Sequence, residues 1–254
     1  MNPPLMNSTL RHGTVPPLLV MAIAVMALAV PATAQALNVY AAASLREAFP
    51  RIGAATFNFA GSNALQRQIE SGAPADVFAS ASPQEARALY RAGRCSRPVT
   101  FATNVVVLLV PRGNPGRVKS VYTLRGGGRR LAIGTAGAPI GDYTRKLLRR
   151  MRLTSILRSN TLSLEPKVAS IVSKVALASA DAGFAYVTDG RIASDRVRTI
   201  RLPRWTQPPV RYQICVVRRP GVDSKGARRL IARVRGAKGR RILSAGGFGL
   251  PPRS

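Results

Sequence analysis

Histidine is almost absent from this chain: the only one, His12, lies near the N-terminus. Ser-His-Asp and Cys-His catalytic sites need an imidazole base, and the common catalytic zinc sites use histidine ligands. Serine-lysine hydrolases and paired-carboxylate glycosidases survive this test, but the ten acidic residues include no close pair after a predicted strand. We therefore expect no enzymatic activity, no catalytic residue, no cofactor and no bound metal cation.

Cysteine is also scarce, with only Cys95 and Cys215 present. In an oxidising compartment the two could form one disulfide. Cys215 lies in the apolar run 214–217, however, where a buried free thiol is equally natural. The sequence leaves both states open.

Acidic residues are outnumbered by basic ones, ten to 39, which gives a formal net charge of +29. Such a charge suits nucleic acid, anionic lipid or cell-wall polymers, and it could also steer a small anion toward a cleft. The arginines are scattered through every predicted element, without one block and without interleaved aromatic residues. We favour a solvated surface with an arginine bias and expect no nucleic-acid partner, with a basic cell-wall or nucleic-acid-binding module as the alternative.

Long apolar runs are missing except near the N-terminus, where Pro16 to Val30 is followed by the small residues of an Ala-x-Ala cleavage site ending at Ala34. A transmembrane helix needs about 20 apolar residues, and this run is shorter. We predict a signal peptide over residues 1–34, whose removal takes Arg11 with it and lowers the charge from +29 to +28. Because no cysteine follows the cleavage site, we expect an exported protein without a lipid anchor, in the periplasm or outside the cell.

The rest of the chain alternates short apolar runs with helical segments, which is typical of an α/β fold with mainly parallel strands. The predicted strands are 37–43, 57–60, 76–79, 105–110, 131–134, 183–187 and 212–217. The predicted helices are 45–52, 63–71, 83–92, 143–151, 168–178 and 227–234.

Two segments rich in glycine and proline, 112–116 and 202–209, predict crossings between two lobes. We assign residues 35–113 to lobe 1, 114–208 to lobe 2 and 209–254 to a return into lobe 1. Each lobe is then a mainly parallel sheet flanked by helices. Ligands of such folds bind at the carboxyl ends of the strands, so we expect a cleft between the lobes.

Residues suited to helix N-termini follow several predicted strands. Ser44 and Ser62 each open a predicted helix of lobe 1, and the turns 139–142 and 165–168 precede helices of lobe 2. The free N–H groups and the macrodipole of a helix N-terminus bind anions without a charged side chain. Serine at such a position is more often only a helix cap, so this pattern by itself favours an anion site weakly.

A resemblance to a known family adds to this pattern. The stretch from Gln68 to Ala81, QIESGAPADVFASA, together with segments 41–49, 59–62, 101–104, 138–143 and 181–189, closely resembles the periplasmic molybdate-binding protein of ABC transporters. The resemblance implies a two-lobed, periplasmic-binding-protein-like fold, a ligand that is molybdate or tungstate, a membrane permease as partner and a monomeric state. It also implies five oxyanion-binding residues: Ser44, Ser62, Ile140, Val168 and Tyr186.

None of these five positions is an acid, so the implied shell contains only hydrogen-bond donors. Molybdate, tungstate and sulfate only accept hydrogen bonds at neutral pH, whereas hydrogen phosphate carries a proton that needs an acceptor. Phosphate is therefore disfavoured, and sulfate or another anion remains the alternative ligand. The segment between Phe49 and Phe57 is shorter than in the family, which predicts a truncated first helix.

Overall fold

The computed structural model describes Met1 and residues 36–252. The predicted signal peptide, apart from Met1, lies outside the described residues. None of the helices in residues 36–252 is long and apolar enough to span a membrane.

Ten strands are present in the described residues. They are β1 (Asn38–Ala42), β2 (Thr56–Ala60), β3 (Val77–Ser80), β4 (Val99–Asn104), β5 (Val106–Pro111), β6 (Arg130–Gly134), β7 (Thr161–Glu165), β8 (Ala182–Tyr186), β9 (Val197–Arg201) and β10 (Val210–Val216).

The same part of the chain contains nine α-helices. They are α1 (Phe49–Ile52), α2 (Ser62–Glu70), α3 (Pro83–Arg91), α4 (Pro139–Arg150), α5 (Ile156–Ser159), α6 (Val168–Ala176), α7 (Val187–Ile192), α8 (Ser224–Arg235) and α9 (Ala237–Ala245). Short 3-10 helices occupy Ala43–Leu45, Val121–Gly126 and Arg204–Thr206.

The strands form two sheets of five, in the orders β2-β1-β3-β10-β4 and β7-β6-β8-β5-β9. This confirms the two-lobed α/β fold, but the sheets are mixed rather than mainly parallel. Strands β10 and β5 run antiparallel to both of their neighbours. The chain reaches each of these strands from the other sheet. The strand therefore begins at the end of the sheet where its neighbours finish, and it runs in the opposite direction to them.

The first crossing lies earlier than we predicted. Strand β5 belongs to the second sheet, so the chain leaves the first sheet at Asn104 and not at Gly113. The turn at residues 112–116 is instead a loop within the second lobe. The crossing consists of the single residue Val105, which is neither glycine nor proline, so the sequence carries no turn signal there. The return crossing falls between β9 and β10, inside the predicted segment 202–209.

The predicted helix 45–52 is broken into the 3-10 turn Ala43–Leu45 and the single-turn helix α1. Pro50 explains the break, because proline is accepted in the first turn of a helix but not in its interior. The helix is truncated, as the short segment predicted. Strands β4, β7 and β9 and helices α5, α7 and α9 were missed. Strands β7 and β9 are edge strands with several exposed residues, so their apolar pattern is weak.

The main hydrophobic core runs through both lobes. A second, smaller core lies under α2 and α3 and contains Cys95 and Cys215. Both thiols are free and fully buried. The structure thus has the free-thiol state of the two that the sequence left open.

Candidate functional site

A small cavity lies where strand ends of the two sheets face each other. It is lined by Ala42, Ala43, Ser44, Ala60, Gly61, Ser62, Ala81, Ala138, Pro139, Ile140, Pro166, Lys167, Val168 and Tyr186. All five residues that the resemblance implied are among them. The cavity volume is about 20 Å³, far below the roughly 300–1,000 Å³ of pockets for organic molecules. Its size suits a ligand of a few atoms.

Three helices of at least nine residues begin at this cavity: α2 at Ser62, α4 at Pro139 and α6 at Val168. None of their N-cap residues makes a side-chain capping hydrogen bond. The first N–H groups of a helix have no partner within the helix, and the macrodipole adds positive potential there. One helix from the first lobe and two from the second thus present N–H groups to a shared space.

The two serines are not helix caps, contrary to the local interpretation of their positions. Ser44 lies inside the 3-10 turn, and its Oγ is 2.8 Å from the Tyr212 Oη. Ser62 is the first residue of α2, and its Oγ accepts a hydrogen bond of 3.0 Å from the Ala81 N–H. Because that bond occupies a lone pair of Ser62, the hydroxyl proton remains available to a ligand.

On the second lobe, Ile140 lies in the first turn of α4, which begins a full turn before the predicted start at Tyr143. Pro139 accounts for this, since proline is favoured in the first helical turn. A Cβ on Gly141 would lie 2.0 Å from the Thr135 carbonyl oxygen, so only glycine lets this helix start approach the preceding strand. The side chain of Ile140 is buried, which leaves its backbone N–H as the polar group it can offer.

Tyr186, at the end of β8, has a buried hydroxyl with no hydrogen-bond partner among the described residues. A buried hydroxyl without a partner costs free energy, and such a group is expected to meet a partner when the site is filled. Burial raises the pKa of Tyr186 well above its ordinary value. The hydroxyl therefore stays protonated and can donate.

Among the described residues no carboxylate lines the cavity, and the one charged residue that does is Lys167. The nearby Asp189 is turned away, with its Oδ2 accepting a 2.9 Å hydrogen bond from the Tyr186 N–H. Burial raises the pKa of Asp189 to about 7. Among the described residues no cluster of acidic, histidine or cysteine side chains could hold a metal ion.

Sequence reasoning missed two residues close to this site, Asn104 and Tyr212. The Asn104 Nδ2 donates to the Tyr212 Oη at 3.3 Å, and Tyr212 in turn contacts Ser44. Asn104 falls within a segment that carried the family resemblance, which was the available signal. Tyr212 lies in an apolar strand and resembles an ordinary core residue.

Comparisons with known proteins place this geometry in context. A family model described as bacterial extracellular solute-binding protein matches residues 37–249. The molybdate-binding protein ModA of Mycobacterium tuberculosis is 33% identical over 261 residues, which cover 95% of this chain and 98% of that protein. The corresponding protein of Haemophilus influenzae is 27% identical, over 84% of this chain and 89% of its own length. The structure of the Azotobacter vinelandii periplasmic molybdate-binding protein is similar in fold, with a TM-score of 0.75 at 22% identity, and covers 85% of this chain and 100% of that one.

Proposed function

Because this chain belongs to the bacterial extracellular solute-binding proteins, and to the molybdate-binding proteins among them, we propose that it captures molybdate or tungstate for import by an ABC transporter. The observation that carries the proposal is the cavity itself. It combines three helix N-termini, two serine hydroxyls and one tyrosine hydroxyl, with no carboxylate from the part of the chain that the structure describes. A fully deprotonated tetrahedral dianion, which only accepts hydrogen bonds, matches such a donor set.

Binding is divided between the two lobes. Ser44 and Ser62 offer hydroxyl and backbone donors from the first lobe. The backbone N–H groups of Ile140 and Val168 and the hydroxyl of Tyr186 come from the second. An anion bound to the first lobe therefore attracts the second. Closure of the lobes removes the anion from water, and each hydrogen bond to it is stronger in the protein interior than in water.

The same donor set separates the candidate anions. Hydrogen phosphate carries a proton, and no carboxylate among the described lining residues could accept it while the hydroxyl and N–H groups donate to the other oxygens, so its affinity would be lower. Sulfate has the same charge and tetrahedral shape, but its sulfur–oxygen bonds are shorter than the metal–oxygen bonds of molybdate and tungstate. Its oxygens would therefore lie farther from the donor groups of the cavity. We propose that selectivity over sulfate comes from the size of the closed cavity and selectivity over phosphate from the lack of a carboxylate acceptor in the described lining.

Thermal unfolding of the chain from residue 35 with molybdate, tungstate, sulfate and phosphate tests the proposal. A ligand at 100 times its Kd should stabilise the native state by about 2.7 kcal/mol. For a protein of this size that raises the Tm by roughly 5–10 °C. We expect the shift with molybdate and tungstate. Equal protection by phosphate would overturn the donor-only explanation. Protection by sulfate alone would show that the ligand is sulfate and not molybdate or tungstate.

The remaining features of the proposal concern where the protein works. Residues 1–34 act as a signal peptide, and the mature chain is a monomer without a lipid anchor in the periplasm or outside the cell. Its lobes are residues 36–104 with the return from Val210 onward, and residues 106–201. Mass measurement of the exported protein and gel filtration check these points: a mature N-terminus at Gln35 and a single-chain elution volume are expected.

A further inference from the structure

A buried chain of hydrogen bonds joins the crossing between the lobes to Ser44. At the crossing, the Val105 N–H donates to the Asn104 Oδ1 at 2.9 Å. The Asn104 Nδ2 donates to the Thr188 Oγ1 at 3.0 Å and lies 3.3 Å from the Tyr212 Oη. The Tyr212 Oη is in turn 2.8 Å from the Ser44 Oγ.

The first bond of this chain fixes the orientation of the Asn104 amide. Because a backbone N–H can only donate, the Asn104 Oδ1 must face Val105, and the amide group Nδ2 must face Tyr212. The Asn104 side chain is buried, so its protons have no solvent to meet. Tyr212 therefore accepts from Asn104, and its single proton is left for Ser44.

The consequence concerns the state of Ser44 before any ligand arrives. If Ser44 accepts the proton of Tyr212, its own proton is free and can be directed into the cavity. If Ser44 instead donated to Tyr212, it would turn lone pairs toward the ligand, and an anion would be repelled. Geometry alone allows either direction between these two hydroxyls, and the amide of Asn104 favours the first.

We propose that Tyr212, oriented by Asn104, is a positioning residue that presets Ser44 as a hydrogen-bond donor to the bound oxyanion. This inference rests on the proposed function, since it assigns a role within the same site. It also links the lobes, because Asn104 is the last residue of β4 and its amide bonds both Tyr212 of the first lobe and Thr188 of the second. Orientation before binding lowers the cost of ordering the donor when the anion enters.

The alternative is that Tyr212 only fills space. Its ring makes edge contacts with Phe101, Tyr186 and Phe248, at centroid distances of 6.0, 6.1 and 5.4 Å. Tyr212→Phe keeps the ring and removes only the hydroxyl, so it separates the two roles without opening a cavity. Tyr90→Phe, at an exposed position on α3, is the matched control.

A double-mutant cycle on molybdate affinity tests the inference, with Tyr212→Phe, Ser44→Ala and the double variant measured by calorimetric titration. We expect Tyr212→Phe to weaken binding by roughly three- to tenfold in the wild-type chain. In the Ser44→Ala background it should change the Kd by less than about twofold, because the group it orients is gone. The Ser44 backbone N–H persists in the alanine variant, so binding remains measurable. Tyr90→Phe should bind like the wild type.

An equal loss of affinity in both backgrounds would mean that Tyr212 acts on packing, and no loss in either would mean that its hydroxyl is idle; each result overturns the inference and leaves the proposed function standing. Failure of the wild-type chain to bind any of the four oxyanions would overturn the proposed function and the inference together. Asn104→Asp provides a second test, since a carboxylate accepts where the amide donates. It should weaken binding at least as much as Tyr212→Phe, and wild-type affinity would overturn the assigned direction.

Discussion

Gly61 is the position where a single methyl group should keep the two lobes from closing. It is the N-cap of α2, with φ −64° and ψ 137°, a conformation that alanine adopts without strain. A Cβ there would lie 2.4 Å from the carbonyl oxygen of Pro166 in the opposite lobe. The clash with Pro166 exists only when the lobes are together. Within its own lobe the Cβ would lie 2.9 Å from the Asn63 Oδ1, the end of a side chain that can turn away, so Gly61→Ala should leave each lobe folded.

The expected loss of affinity follows from these distances. A Cβ essentially never approaches another atom within 3.0 Å, so Pro166 must retreat by more than about half an ångström. Pro166 lies two residues before Val168, and both line the cavity. A hydrogen bond from the Val168 N–H to the anion would lengthen beyond about 3.2 Å and weaken. Losing one bond to a charged group costs about 1.5–3 kcal/mol, which is roughly ten- to hundredfold in Kd.

Calorimetric titration with molybdate measures this loss directly. Thermal unfolding without ligand shows whether the fold is intact, and small-angle scattering with ligand shows whether the cleft still closes. The control is Gly113→Ala, because a Cβ at Gly113 meets no atom within 4 Å. Gly61→Ala with wild-type affinity would refute the closing contact between Gly61 and Pro166.

Three further predictions concern the site and the core. Ser62→Ala should weaken molybdate binding about tenfold without abolishing it, because its backbone N–H remains, and Tyr186→Phe should weaken it more mildly; unchanged calorimetric affinity in both would defeat the assignment. The pKa of Asp189 is raised from 3.8 to about 7, so the folded state holds a proton that the unfolded state releases. The free energy of unfolding should fall as pH rises from about 4 to about 7, and Asp189→Asn should flatten that slope in chemical denaturation. Cys95 and Cys215 should react with a thiol reagent only after denaturation, since both are free and buried; finding no thiols in the denatured protein would show a disulfide instead.

The local parts of the fold were predictable because they depend on neighbouring residues. The starts of α2 and α6 follow from turn residues next to apolar runs, and the truncated α1 follows from a short segment. Where a local signal was weak or ambiguous, the prediction failed. Edge strands such as β9 expose most of their residues and lose the apolar pattern. The glycine and proline residues of 112–116 predicted a crossing between the lobes, but they form a loop within the second lobe.

The sequence by itself predicted helix starts at Ser44 and Ser62 that could offer donors to an anion, and the family resemblance added Ile140, Val168 and Tyr186. A helix start depends on single residues and their immediate neighbours, and a resemblance depends on the order of residues along the chain. Only the tertiary structure decided what each group faces. Tyr212 meets Ser44 across 168 positions of the chain, and Gly61 meets Pro166 from the other lobe. Such contacts depend on where the chain crosses between the lobes and on the direction of the strand that follows each crossing. The sequence does not reveal that direction, because a strand has the same apolar periodicity whether it lies parallel or antiparallel to its neighbours.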